Sequence, residues 1–246
     1  MTVPSRDIED WSHSPLGRAA LACERRITAA LAERLFGGRM LQLGHWPETS
    51  AFLEQCRVNH CLLASPRAPA DLLCRLQALP VESGSMEVVF MPHTLAFCDD
   101  PHGVIREAER VLAPGGHLLL LGFSPYSFWG LRALLRRAPF ADRTELLAER
   151  RIGDWMALMG LELLTLERYL YRPPLNIDLL LRRGRWLEHW GHSMIPGPWP
   201  SAAYAALLQK RDLAGNVIRP RWEQRRNLGP AAVPDSFQGG ARSRRL

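Results

Sequence analysis

The chain has 246 residues, 47% of them hydrophobic and 23% charged, with five cysteines. That length builds one α/β domain with room for an insertion or tail, and the ordinary apolar content and scarce cysteine exclude collagen-like, wholly disordered and disulfide-scaffold chains. The net charge of +6 is local: from Lys210 to Leu246 nine bases face three acids, so residues 1–209 are electrically balanced and the high pI argues no nucleic-acid groove in the folded part.

No apolar run approaches the roughly 20 residues of a membrane span, the longest uniform one being Leu118 to Leu121. The polar start, with Asp7, Glu9 and Asp10, does not read as a secretory signal. Cys23, Cys56, Cys61, Cys74 and Cys98 are odd in number and form no CxxC pair, which reads as reduced thiols of a cytoplasmic protein.

In chain order, Leu16, Ala20, Cys23, Ile27, Leu31 and Leu35 recur every three or four residues. Arg18, Glu24, Arg25, Glu33 and Arg34 fall mostly between them, which describes an amphipathic helix closed by Gly37-Gly38. Met40 to Gly44 reads as a strand, Pro47 to Gln55 as a helix with Pro47 and Glu48 in its first turn, and Asn59 to Ala64 as a second strand before Ser65-Pro66. Met86 to Met91 is a third strand, introduced by the turn-like Glu82-Ser83-Gly84-Ser85. Asp100-Pro101 then opens a helix, the acid as N-cap and the proline in the first helical position, with Val104, Ile105, Ala108, Val111 and Leu112 on its buried face. Pro114-Gly115-Gly116 stops it, and His117 to Phe123 is a fourth strand.

Further on, Ile152 to Gly160 reads as a helix, Leu161 to Tyr171 as a strand and Tyr204 to Leu208 as a last short strand. The alternation argues a doubly wound, mostly parallel sheet. Residues 172–203, with five prolines and three of the eight tryptophans, read as an insertion before the last strand with a helix near Ile177 to Trp190. Its role is either to cover one edge of the sheet, the favoured reading, or to close as a lid over a substrate. The chain thus divides into an N-terminal helical lead-in (1–36), a main domain (37–211) and a basic tail (212–246) expected to be flexible.

Residues 79 to 122 carry a more specific signal. Leu79-Pro80 is followed by Ser83-Gly84-Ser85-Met86-Glu87-Val88-Val89, by Asp99-Asp100-Pro101, and by Arg106-Glu107-Ala108-Glu109-Arg110-Val111-Leu112-Ala113-Pro114-Gly115-Gly116-His117-Leu118. This order closely resembles the middle of class I S-adenosylmethionine-dependent methyltransferases, in particular the type 11 methyltransferase domain. The resemblance implies a Rossmann-like seven-stranded sheet with helices on both faces, strand order 3-2-1-4-5-7-6 and the last strand antiparallel. It also implies S-adenosylmethionine bound at the carboxyl ends of the strands, where Gln42, Ser65 and Met91 end neighbours.

The same resemblance implies cofactor contacts from Gln42, Gly44, His45, Ser65, Arg75, Leu76, Met91 and His93, at positions that depart from the family pattern. Gln42 stands where the family has an acid, and Trp46 and Pro47 fall in the stretch of its later glycines. There the backbone must approach the ligand closely, so a bulky residue narrows the site or changes the loop. Ser65 replaces the acid that grips the ribose hydroxyls, and Arg75 replaces an aspartate that contacts the adenine amine; arginine can stack on the ring but cannot accept that amine's proton.

No catalytic residue follows from the sequence. Met91, His93, Thr94, Ser124, Pro125 and Tyr126 are the residues the fold brings near a transferred methyl group, His93 either as a general base or as a turn histidine bonded to backbone. Tyr126, Phe128 and Trp129 are expected to pack under the insertion. His189 and His192 lack Cys or carboxylate partners at ligand spacing, so no metal site is expected. A nicotinamide enzyme is disfavoured, because no G-x-G-x-x-G follows a strand. The leading reading is a methyltransferase acting on an unknown acceptor. The alternative is a non-catalytic protein of the same fold that binds a partner or ligand, with the basic tail as an RNA contact.

Overall fold

The computed structural model of the chain describes residues 5–47, 57–127, 147–171 and 201–211. Two helices come first, α1 (Ser5–His13) and α2 (Pro15–Ala32). Ser14 caps the second, its Oγ accepting the Gly17 N–H at 3.0 Å, and Pro15 takes the first helical turn. Gly17 is demanded by closeness: a Cβ there would lie 2.0 Å from the Trp11 carbonyl oxygen. The buried face of α2 holds Leu16, Ala20, Cys23, Ile27 and Leu31, as the periodicity predicts, and also Glu24, only 4% exposed. Glu24 lies four residues after Ala20 and three before Ile27, which puts it on the apolar stripe and not between its members.

The first strand, β1 (Phe36–Leu43), contains Gly37-Gly38, so the glycines do not cap the helix, which has already ended at Ala32. Their purpose is lateral. A Cβ at Gly37 would stand 2.7 Å from the Cβ of Glu87, whose carboxylate accepts the Arg39 N–H at 2.8 Å. β2 (Arg57–Ser65) and a two-residue β3 (Leu72–Leu73) pair parallel beside β1, and β4 (Met86–Pro92) pairs on its other side. A 3₁₀ turn, Thr94–Ala96, leads to α3 (Pro101–Val111), which opens as the sequence predicts, the Asp100 carboxylate accepting the Gly103 N–H at 2.9 Å.

β5 (Leu112–Phe123) begins earlier than His117, the expected start. Pro114-Gly115-Gly116 forms an irregularity within the strand, where the register against β4 jumps from Met86↔Leu112 to Val88↔His117. Gly115 has φ +74°, and a Cβ at Gly116 would lie 2.9 Å from the Ala113 oxygen and 3.0 Å from the Glu87 oxygen. Helix α4 (Glu149–Leu158), β6 (Leu161–Tyr169) and β7 (Ala203–Lys210) complete the described elements.

The sheet order is β3-β2-β1-β4-β5-β7-β6, with β7 antiparallel to both neighbours, as the resemblance implied. Successive residues alternate faces. Leu119 and Leu121 of β5 join Val88, Phe90 and Met40 under α1 and α2, while Leu118 and Leu120 join Leu41, Val89 and Met91 against α3 and α4. The helix expected over Pro47 to Gln55, apart from Pro47, the one expected over Ile177 to Trp190, nearly all of the 172–203 insertion and the 212–246 tail lie outside the described residues. No described helix is long and apolar enough to cross a membrane.

Candidate functional site

Order reversal sets the position of the site. β1 lies between β2, whose connection runs one way across the sheet, and β4, whose connection runs the other, so their carboxyl ends leave a crevice between diverging loops. A cavity of about 620 Å³ occupies it, within the range of small-ligand sites. Its wall is built by Gly44 and His45 after β1, Ser65 to Arg67 after β2, Arg75 to Ala78 after β3, Pro92 and Thr94 at the end of β4, Phe97 to Asp100 before α3, and Ile8 of α1.

The loop after β1 turns at Gly44, whose φ of +85° favours glycine, and the Gly44 N–H donates to the Ala64 carbonyl at 2.8 Å. Thr94 Oγ1 donates to the Leu43 carbonyl, joining this loop to the one after β4. His45 is exposed and its Nε2 donates to the Arg67 carbonyl at 3.1 Å, which ties the β1 and β2 loops at the cavity rim.

Five of the eight residues singled out from the sequence, Gly44, His45, Ser65, Arg75 and Leu76, line this cavity. Gln42 and Met91 are buried and lie outside its wall. The Gln42 Nε2 donates to the Gly44 carbonyl at 2.8 Å, so this amide braces the loop from beneath. Ser65 Oγ accepts the Arg67 N–H at 3.1 Å and shapes the turn after β2. Thr94, Phe97, Asp99 and the α1 residue Ile8 are wall residues that motif reading did not name for the cofactor, and only their place in the fold identifies them.

Trp46 does not fill the cavity. Its ring turns beneath α2, stacks with Phe97 at 6.2 Å between centroids and meets Trp11 at 5.9 Å and His93 at 4.4 Å. The indole Nε1 donates to Glu24 Oε2 at 2.8 Å. His93, fully buried, sits 3.1 Å from Glu24 Oε1 through Nε2 and stacks on Phe123 at 3.9 Å. It is a turn residue, as one of the two sequence readings had it, but its ring binds a carboxylate from another helix and not backbone. Its backbone is left-handed, with φ 53°. Burial, and then the Glu24 charge, hold the Tyr169 hydroxyl well above its ordinary pKa, so it remains protonated, 3.5 Å from His93 Nε2.

Among the other residues expected near a methyl group, Ser124 is buried while Tyr126 is 79% exposed. Tyr126 stands at a turn closed by Ser127 Oγ on the Ser124 carbonyl, while Phe128, Trp129 and nearly all of the insertion expected over them lie outside the described residues. Cys23, Cys61, Cys74 and Cys98 are thiols, and burial pushes that of Cys61 up to about 11. Among the described residues no three His, Cys, Asp or Glu side chains converge as a metal site.

Comparison with known proteins follows the same line. A family described as a methyltransferase domain matches residues 23–120. The uncharacterized protein YafS of Escherichia coli (strain K12) is 32% identical over 165 residues, which are 65% of this chain and 67% of that protein. The uncharacterized protein Rv2003c of Mycobacterium tuberculosis is 32% identical over 150 residues, 57% of this chain and 47% of its own length. In fold, the chain is similar to a S-adenosylmethionine-dependent methyltransferase from Thermotoga maritima, with TM-score 0.59, 18% identity, and coverage of 84% of this chain and 96% of that one.

Proposed function

The chain belongs to the class I S-adenosylmethionine-dependent methyltransferases, and we propose that it is itself an enzyme that binds the family's cofactor in the cavity at the carboxyl ends of β1, β2 and β4. The observation that carries this reading is the coincidence of that cavity with the point where the strand order reverses, bounded by a left-handed Gly44. When bound, S-adenosylmethionine supplies an electrophilic sulfonium methyl group. The protein's part is to hold it and align an acceptor, since methyl transfer depends chiefly on orientation.

The residues that fit the cofactor are those of the wall. Gly44 leaves the backbone open beneath the ligand, Arg75 and Leu76 suit a flat heterocycle by stacking and apolar contact, and Asp99 offers a carboxylate on the α3 side. Ser65 stands on the ribose side with its hydroxyl engaged by the Arg67 N–H, so it contributes less there than a free acid. Trp46 is no obstacle, because its side chain is not part of the wall.

Calorimetry with S-adenosylmethionine and S-adenosylhomocysteine tests the proposal. Binding weaker than micromolar is expected from the native protein, and Ser65→Asp or Arg75→Asp should tighten it several-fold. Gln42→Glu should do the opposite, since a carboxylate there replaces the donor to the Gly44 carbonyl with a repelling oxygen. Native protein that is folded and binds neither compound at millimolar concentration would leave the non-catalytic reading in its place.

A further inference from the structure

Trp46 and His93 are adjacent in sequence to the cavity wall but face away from it. Trp46 follows His45, and His93 lies between Pro92 and Thr94. Both rings turn to one carboxylate, Glu24 of α2, which is 4% exposed. Tyr169 at the end of β6 stands against the imidazole, its hydroxyl 3.5 Å from His93 Nε2. Three elements therefore converge on one buried acid, the helix that carries it, the β1 loop and the β4 loop, with β6 packed beside them.

The convergence is costly as a mere helix anchor. A buried carboxylate loses several kcal/mol of hydration, and apolar side chains hold a helix on a sheet without that loss. The partners it recruits also bear strain. His93 takes φ 53°, a conformation that non-glycine residues keep only when their surroundings impose it, and its Nδ1 is buried with no hydrogen-bond partner among the described residues.

We propose that Glu24 is a positioning residue of the cofactor cavity: through Trp46 and His93 it holds the loops 44–47 and 92–94 in the shape that lets their other side receive the ligand. Resting on the cofactor reading above, it assigns a purpose to the departure in the first loop. The tryptophan in the expected glycine stretch is the handle by which α2 grips that loop. The N-terminal helices thereby become part of the binding site, with α1 contributing Ile8 to the wall directly.

The test uses the full chain as wild type, Glu24→Gln, Trp46→Phe and the double variant, with Lys210→Ala as a destabilised control: its ammonium bonds the Glu109 and Leu112 carbonyls at the end of the sheet opposite the cavity. S-adenosylhomocysteine is titrated by calorimetry at a temperature where circular dichroism shows each protein folded. Amide hydrogen exchange is measured on the free proteins. Glu24→Gln and Trp46→Phe should each weaken binding at least tenfold, the double variant little more than either, and exchange should quicken at both 44–47 and 92–94. Lys210→Ala should lower the melting temperature and leave the dissociation constant within about twofold. Trp46→Phe retains the aromatic ring and decides the matter if Glu24→Gln does not fold. Variants that melt earlier but bind as wild type does, or that leave exchange in the two loops unchanged, reduce Glu24 to a structural anchor and overturn the proposal. Wild-type protein that fails to bind the probe overturns the cofactor reading, and this inference with it.

Discussion

Two carboxylates organise this molecule in contrasting ways. Glu107 of α3 meets Arg110 on the same helix face, three residues on, accepting its Nε at 2.9 Å and its Nη2 at 2.8 Å, and accepts the Leu79 N–H at 2.9 Å. Arg110 spreads its remaining donors over the Leu79 and Val81 carbonyls and Ser83 Oγ, pinning the segment before β4. Glu24 instead takes donors from residues 22 and 69 positions away and lies almost wholly out of water. The first network starts from a pair within one helix, lies partly exposed and is architectural. It reaches 27 to 31 residues back along the chain and so does more than the isolated helix pair that the spacing suggests. The second is assembled only when helix and sheet come together. A carboxylate near water can be replaced at moderate loss, whereas one enclosed with its donors cannot lose a single partner without stranding another.

That contrast can be broken most decisively by truncation. Glu24→Ala strands the indole and imidazole donors in the core and should cost about 3 kcal/mol or more, read as a fall in urea midpoint and melting temperature. A loss under about 1 kcal/mol would place both networks in one class. Arg110→Ala should come next, at about 2 kcal/mol by the same urea melts, because it frees the Leu79–Ser83 segment but leaves the freed groups partly hydrated.

Acid sharpens the comparison further. The Arg110 hydrogen bonds, opposed by partial burial and aided by the Leu79 N–H, hold the Glu107 carboxyl below its ordinary value of 4.5. Its folded pKa is depressed, so its contribution is fully present above about 4.5 and disappears as pH falls through the lower, folded value. Stability of the wild type should therefore drop more steeply than that of Glu107→Gln below that pH, in urea melts between pH 3 and 7. Parallel curves would mean that the pair adds nothing to folding. The smallest effect is that of salt. Raising sodium chloride to about 0.5 M should shrink the Arg110→Ala penalty by a few tenths of a kcal/mol and leave that of Glu24→Ala unchanged, because screening reaches the half-exposed pair and not the enclosed one.

Much of the fold was legible in the chain because its signals are local. Asp100-Pro101 opens α3 through an N-cap bond three residues long, and β1, β2, β4 and β5 announce themselves as short apolar runs between turn residues. β3 was not legible: Leu72–Leu73 is too short to leave a period and exists only because Ala64 and Ser65 pair with it. Pro114-Gly115-Gly116 was visible as punctuation, but whether it separates two elements or kinks one depends on the register of β4, which no neighbour in sequence records.

The candidate site divides along the same line. Gly44, Ser65 and Arg75 could be placed from the sequence through the family resemblance, which aligns them with the loops that follow neighbouring strands. The orientations of Trp46 and His93, and the burial of Glu24, were decided by tertiary structure alone. A charged residue on a helix is ordinarily assigned to water, and the arithmetic of the helix places Glu24 on the apolar stripe without saying what meets it there. By itself the sequence determined the alternation of strands and helices and the capped start of α3, since each rests on contacts within a few residues; the edge at which a ligand would lie followed from the family resemblance. Only the packed fold could turn the β1 loop outward to the cavity and inward to α2 at once, because the groups that hold it come from helix and strands far apart along the chain.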